Sequence, residues 1–193
     1  MAFSLMAGMA FAQSDALLDF NQDRLQKQKR AMLVLGSWAV ANMAVGASLQ
    51  GNATGTTKYF HQMNLGWNAV NLAIAGFGYW GVARLDLGSF DLAASIHEAH
   101  RFQKILLFNA GLDVGYMLGG LYLTERSKNT PIDKNPERLK GFGRSILLQG
   151  AFLFAFDLTT YLVLAQGNQA IPPLLEQLDI GLLGSGIGLR YRF

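Results

Sequence analysis

The sequence of 193 residues contains no cysteine, which excludes disulfides, thiolate metal sites and a cysteine nucleophile. Charged residues make up only 15% of the chain, against about 25% in an average soluble protein. Hydrophobic residues make up 51%, and the net charge of +3 is spread without a long basic run. The composition therefore argues against nucleic-acid binding and favours a single-domain membrane protein with the lipid bilayer as its partner.

Motifs of the common enzyme classes are also missing. The chain has no G-x-S-x-G, no P-loop and no Ser/His/Asp arrangement. One G-x-G-x-x-G match runs from Gly76 to Gly81, but it lies within an apolar helical stretch with bulky Tyr79 and Trp80. Dinucleotide binding needs this motif at a strand-to-helix turn. We therefore predict no cofactor and no catalytic residue, and no enzyme class is indicated.

Four apolar stretches are long enough to cross a bilayer, which takes about 20 residues. They cover residues 31–50, 59–82, 102–123 and 145–165. Ser14 is predicted to cap an amphipathic helix that continues without a breaker into the first stretch. Ser89 or Asp91 is predicted to cap the third helix, and Asn135 with Pro136 to open the fourth. The predicted fold is all-α: a four-helix transmembrane bundle with an N-terminal amphipathic helix and a short C-terminal tail.

The first twelve residues form a signal-like apolar segment that ends in Ala10-Phe11-Ala12, a pattern read by signal peptidase. Residues 13–193 would then be a single membrane-embedded domain. The alternative is that the segment is simply the apolar start of a helix. Before the C-terminal Arg190 and Arg192, basic residues are equally numerous on the two sides of a four-span arrangement, so they do not settle the orientation. A cleaved signal places the N-terminus in the periplasm and the protein in the bacterial inner membrane.

Polar side chains interrupt the four stretches at helical spacing. Asn42, Asn71, Asp113 and Asp157 each lie near the midpoint of one stretch, which predicts one polar layer at a common depth. Because an amide without a hydrogen bond in lipid costs several kcal/mol, the polar faces must face one another. The candidate polar-core or ligand residues are Asn42, His61, Asn64, Asn68, Asn71, Asn109, Asp113, Tyr116, Gln149 and Asp157.

Asp113 and Asp157 allow two interpretations. Two carboxyl groups close together in a low-dielectric interior share a proton, and such pairs relay protons or bind cations. Alternatively, each forms a hydrogen-bonding strut to a neighbouring helix. The sequence favours a structural or accessory membrane protein, since nothing specifies a transported species. A small transporter or ligand-binding protein that uses both aspartates for protons or cations is the alternative.

His97 and His100 are weak candidates for a metal site. They are three residues apart and so lie on one helical face, where carboxylates could complete a divalent metal site. Their spacing is not that of H-E-x-x-H, which needs the second histidine one residue later. A solvated polar face is the competing interpretation.

Gly111, Gly115 and Gly119 form two overlapping G-x-x-x-G units about opposite Asp113 on the helix. We refer to these three residues as the glycine ridge. If Asp113 faces the bundle interior, the ridge faces outward and suits a homodimer contact. In the competing interpretation the amphipathic arm or the C-terminal tail covers it.

The last residues, 188–193, alternate and end in phenylalanine, like the terminal strand of an outer-membrane β-barrel. A whole barrel is disfavoured because the four stretches show helical stripes rather than ten-residue alternation.

Three segments resemble an uncharacterised bacterial family of four-span membrane proteins, a domain of unknown function. They are MNLGWNAVN at 63–71, FNAGLDVGYM at 108–117 and SILLQG at 145–150. The resemblance covers most of residues 20–165. It implies the four-span helical fold and no particular activity.

Overall fold

The structure, a computed structural model, describes the backbone of residues 2–171, 178–183 and 186–191 and the side chains of residues 15–169 and 171. Four long helices dominate it: α1 Ala2–Gln50, α2 Gly55–Ala83, α3 Leu92–Lys128 and α4 Pro136–Gly167. Short 3-10 turns follow α2, α3 and α4, at Leu87–Ser89, Ile132–Lys134 and Asn168–Ala170. Strands β1 Leu178–Leu183 and β2 Gly186–Tyr191 pair as an antiparallel hairpin.

The helix ends follow local side-chain chemistry. The Asp91 carboxylate accepts from the backbone N–H of Ala94 at 2.7 Å and caps α3, so that of the two predicted alternatives, Ser89 and Asp91, the second is the cap. Asn135 caps α4 in the same way, with Pro136 in its first turn. The predicted cap at Ser14 is wrong, because α1 runs from Ala2 through this position. No proline or glycine pair interrupts residues 2–50, so the amphipathic arm and the first apolar stretch form one helix.

The helices pack in the spatial order α1, α2, α4, α3. Helices that follow one another in the chain run antiparallel, whereas the neighbours α2 and α4 run parallel, with their starts at the same end of the bundle. α2 lies between α1 and α4, and α4 packs most extensively against α3. α1 and α3 meet where Nδ2 of Asn21 donates to Oγ of Ser95 at 2.8 Å. We call this end of the bundle the Arg24 end. At the opposite end, Nδ2 of Asn135 donates to the Tyr59 hydroxyl at 2.6 Å and ties the start of α4 to the start of α2.

Glycines allow α3 and α4 to approach closely. A Cβ on Gly120 would come within 2.6 Å of the carbonyl oxygen of Gly143, and a Cβ on Gly143 would meet Gly120 at the same distance. A Cβ on Gly150 would lie 3.1 Å from the carbonyl oxygen of Asp113. Real Cβ atoms do not tolerate backbone contacts below about 3 Å, so the first two positions require glycine. The close approach fixes how α3 and α4 slide past each other.

Three helical segments are long and apolar enough to cross a membrane: Asp15–Gln50, Leu92–Lys128 and Pro136–Gly167. The remaining helix, α2, does not reach that hydropathy. Four long helices are therefore present, as predicted, but only three of them are apolar enough to be candidate membrane spans. The prediction of a helical bundle is confirmed. The hairpin occupies the predicted C-terminal tail.

Polar and apolar side chains are distributed the opposite way from a soluble protein. The largest fully buried side chains are Gln149, Asn21, Asn68, Ser95 and Ser145, whereas Phe77 is 74% exposed. Soluble proteins bury leucine, isoleucine and phenylalanine first. A polar interior under an apolar exterior indicates that the bundle associates with a membrane.

Candidate functional site in the bundle core

An amide cluster joins α1, α2 and α4. The indole Nε1 of Trp38 donates to Oε1 of Gln149 at 3.0 Å. Nε2 of Gln149 donates to Oδ1 of Asn64, and Nδ2 of Asn64 donates to Oδ1 of Asn42 at 3.2 Å. The side chains therefore form a continuous chain of hydrogen bonds from α1 through α4 and α2 back to α1. Asn68 completes the cluster, since its Nδ2 donates to the Asn64 carbonyl oxygen at 2.8 Å.

Aromatic packing holds the first donor of this chain in place. The Trp38 ring stacks on Phe152 with 3.8 Å between centroids and 4° between planes. Both partners of the stack lie on the helices that the hydrogen bond joins. The stack restricts the indole rotation, so that Nε1 is held toward Gln149.

Asp113 on α3 and Asp157 on α4 form the second polar group. They are 3% and 6% exposed, and their carboxyl groups are neighbours in the bundle core. Two carboxyl groups can hydrogen-bond only if they share at least one proton. Oδ2 of Asp113 has no further hydrogen-bond partner among the described side chains. The pair can therefore hold a proton between two helices.

The predicted single layer of four residues is divided into two groups in the structure. Asn42 bonds Asn64 rather than Asn71, and Asp113 contacts Asp157. Asn71 is buried, and its Nδ2 has no partner among the described side chains. The midpoints of the apolar stretches were a poor guide to depth: Asn42 lies 8 residues before the end of α1, whereas Asn71 lies 16 residues after the start of α2, so the two residues are at different heights.

The other candidate residues differ in their surroundings. His61 is buried, and its Nδ1 has no hydrogen-bond partner among the side chains that the structure describes. Asn109 is half-buried. Tyr116 is 40% exposed and packs edge-to-face on Trp67 with 4.9 Å between centroids. Tyr116 thus contributes an aromatic contact at the edge of the bundle rather than a polar group in its core.

The two histidines proposed as metal ligands lie on the exposed face of α3. The His97 side chain is 75% exposed and lies 3.9 Å from the Glu98 carboxylate, and His100 is also exposed. Within the described residues no group of three or more His, Cys, Asp or Glu side chains is close enough to hold a metal ion.

A third polar group at the Arg24 end was not predicted. Asn21, Arg24 and Gln28 on α1 are buried, together with Ser95 and Gln103 on α3. The spacing of Asn21, Arg24 and Gln28 by three and four residues places them on one helical face and could have revealed them. Their position before the first apolar stretch hid this signal, because a polar run there is typical of a solvated arm.

The glycine ridge faces away from the bundle. A Cβ on Gly111, Gly115 or Gly119 would meet no heavy atom of the described chain within 4 Å. The close approach of α3 to α4 instead uses Gly120 and Gly143, described above.

These features define a helical bundle with candidate transmembrane helices, an apolar exterior and a hydrogen-bonded polar core. The chain belongs to DUF6992, a family of unknown function, whose pattern it matches over residues 34–158. The match confirms the resemblance to an uncharacterised family. It covers every member of the amide cluster and both aspartates, whereas the polar group around Arg24 begins before it. Comparisons with curated proteins and with solved structures gave no match.

Proposed function

We propose that this is a multi-pass integral membrane protein with a structural or accessory role, in which the amide cluster fixes the register of the helices. The cluster is the observation that carries the proposal. Its links join three helices, and most of its donors are used by other members. Polar groups satisfied in this way specify one packing arrangement, because a shifted helix would leave them without partners in an apolar environment.

We further propose that α2 is the fourth span. Its 29 residues reach about 43 Å, which exceeds the bilayer core of about 30 Å. Its modest hydropathy arises from His61, Asn64, Asn68 and Asn71, all of which are buried inside the bundle. The outward face of α2 carries exposed Val70, Ile74 and Phe77 instead. The helix therefore presents an apolar surface to lipid despite its modest average hydropathy.

The experiment compares Asn64→Ala with Asn52→Ala, which changes an exposed asparagine in the loop between α1 and α2. Asn64→Ala leaves Nε2 of Gln149 and Oδ1 of Asn42 without a partner and should lower the free energy of unfolding in detergent by about 1–2 kcal/mol. Asn52→Ala should leave it unchanged. A separate measurement, resistance of the wild-type protein to alkaline carbonate extraction, tests whether it is an integral membrane protein. Equal stability of both variants would remove the structural role of the cluster.

The contact between Asp113 and Asp157 favours a second candidate, proton or cation handling. A buried carboxyl pair that shares a proton can accept and release it as its surroundings change. The free Oδ2 of Asp113 offers a further acceptor. Proton handling requires carboxyl groups that titrate, whereas the structural role requires only that the two side chains form hydrogen bonds.

The proposed location is the bacterial inner membrane with a periplasmic N-terminus. The signal-like pattern at residues 10–12 supports this orientation. It places the Arg24 end of the bundle on the periplasmic side and the turn before α4 on the cytoplasmic side.

A further inference from the structure

An open groove of about 370 Å³ lies between α1, α2 and α3 at the Arg24 end. Its mouth is lined by Arg24, Glu98 and Arg101, and its deeper part by apolar side chains such as Met32, Phe77 and Ile105. None of these residues belongs to the amide cluster or to the aspartate pair.

The lining changes from charged to apolar with depth. Arg24 and Met32 are eight residues apart on α1, which corresponds to about 12 Å along the helix. Glu98 and Ile105 on α3 are seven residues apart, or about 10 Å. On both helices the charged residue lies nearer the end of the bundle and the apolar residue nearer its middle. The groove therefore has a polar mouth at the end of the bundle and an apolar floor that extends toward its middle. A phospholipid has the same order of headgroup and acyl chain.

The mouth carries a net positive charge. Arg24 is only 5% exposed, and its Nη2 donates to Oδ1 of Asn21 at 2.9 Å. Its Nε has no acceptor among the described side chains. The single carboxylate of the lining, that of Glu98, accepts from Nη1 of Arg101 at 3.2 Å. Two guanidinium groups against one carboxylate, with one buried donor free, suit a phosphate group.

We infer that this groove binds one anionic phospholipid, with its phosphate at Arg24 and an acyl chain along Phe77 and Ile105. Basic pockets between membrane helices recognise lipid headgroups by charge. The inference rests on the proposed insertion of the bundle in a bilayer. A buried arginine at the rim then has a specific partner, whereas an arginine facing bare hydrocarbon would be costly.

The experiment measures lipid retention by native mass spectrometry of the full chain in detergent. Phosphatidylglycerol and phosphatidylcholine with identical acyl chains are added in equal amounts. The wild-type protein should retain one phosphatidylglycerol in preference to phosphatidylcholine. Arg24→Gln removes a charge-assisted contact and should weaken retention about tenfold or more. Arg126→Gln, at the opposite end of α3, is the control and should retain the lipid.

A second variant tests the groove without touching Arg24. Gly81 lines the groove, and a Cβ there would meet no atom within 4 Å. Gly81→Leu should therefore fill the acyl path without disturbing the fold and should displace the lipid. Gly66→Leu is the matched control, because Gly66 on α2 is equally open and is not part of this groove lining. This pair decides the question if Arg24→Gln does not fold.

Three results would overturn the inference. They are equal retention of the two lipids, unchanged retention in Gly81→Leu, and complete displacement of the lipid by inorganic phosphate. The last result would assign the site to a free anion. Carbonate extraction of the membranes from which the same proteins are purified separates this inference from the proposed function. A protein that resists extraction but retains no phosphatidylglycerol contradicts the lipid site alone, whereas one that is extracted contradicts membrane insertion.

Discussion

Trp38 and Gln149 are 111 residues apart in sequence, and their side chains meet at 3.0 Å in the bundle core. The bond links the first helix of the chain to the last long one, which otherwise share little contact. α2 lies between these helices, and Asn64 on α2 accepts from the same glutamine. The Gln149 amide thus fixes the positions of α1, α2 and α4 relative to one another along the bundle axis.

Removing this link should loosen the bundle. Trp38→Phe keeps the aromatic ring over Phe152 but deletes the donor, and Gln149→Leu deletes the acceptor together with the bond to Asn64. Each variant should lower the free energy of unfolding by about 1–2 kcal/mol, because a buried partner loses its hydrogen bond. Unfolding in mixed detergent micelles measures the change.

The double variant Trp38→Phe with Gln149→Leu should cost less than the sum of the two single changes, since the pair shares one bond. Gln166→Leu, at an exposed position near the end of α4, serves as the control. Strict additivity would show that the two side chains are not coupled.

Asp113→Asn and Asp157→Asn separate a strut from a proton carrier. Asparagine keeps the size and the hydrogen bonding of aspartate but cannot titrate. Under the structural proposal the double variant folds with nearly wild-type stability. Liposomes that contain the wild-type protein or the double variant should then hold an imposed proton gradient as well as empty liposomes do. A pH-sensitive dye inside the liposomes measures the leak.

Asp133→Asn, in the exposed 3-10 turn before α4, is the control for removal of a carboxylate. If the wild-type protein and this control collapse the gradient while the Asn double variant does not, the aspartate pair carries protons. The structural proposal would then be insufficient.

Gly143→Ala should be one of the most damaging small substitutions in the chain. Its Cβ would lie 2.6 Å from the Gly120 carbonyl oxygen, so α3 and α4 must separate. Overpacking of this kind costs about 1–3 kcal/mol. Gly115→Ala, on the open side of α3, should be neutral or slightly stabilising because alanine favours the helix. Thermal unfolding in detergent compares the two, and equal effects would refute the close helix crossing.

The sequence was sufficient to predict the four long helices, because apolar length and caps such as Asn135 are local signals. It also predicted that Asn64, Gln149 and the two aspartates face inward, since helical spacing determines which residues share a face. Which polar side chains meet was not predictable. Pairing depends on the relative height of the helices, and close contacts such as that between Gly120 and Gly143 set this height.

The buried group at Asn21 and Arg24 shows a second limit of the sequence. A charged residue before an apolar stretch usually marks the membrane surface. Here α1 continues past the apolar part and packs against the start of α3, so Ser95 covers Asn21. Only the long-range contact reveals that this part of α1 belongs to the core.

The orientation is testable because the chain lacks cysteine. Ser89 and Asn129 are exposed at opposite ends of α3, so cysteines at these positions report on opposite sides of the membrane. With a periplasmic N-terminus, Ser89→Cys should react with an impermeant thiol reagent in intact cells, and Asn129→Cys only after permeabilisation. The reverse pattern would invert the topology, and labelling of both in intact cells would mean that α3 does not span.

The glycine ridge leads to the expectation of a homodimer through α3. Membrane helices gain little from hydrophobicity when they associate and depend on close van der Waals contact, which glycine permits. Since a Cβ at Gly115 would meet no atom of the described chain within 4 Å, Gly115→Leu should abolish dimers and spare the fold of the monomer. Gly66→Leu, on the open face of α2, should leave the dimer intact. The mass of the protein in nanodiscs of several lipid compositions measures both. If Gly115→Leu instead unfolds the monomer, a segment of the same chain covers the ridge, and a wild-type protein that is monomeric in every lipid excludes the dimer.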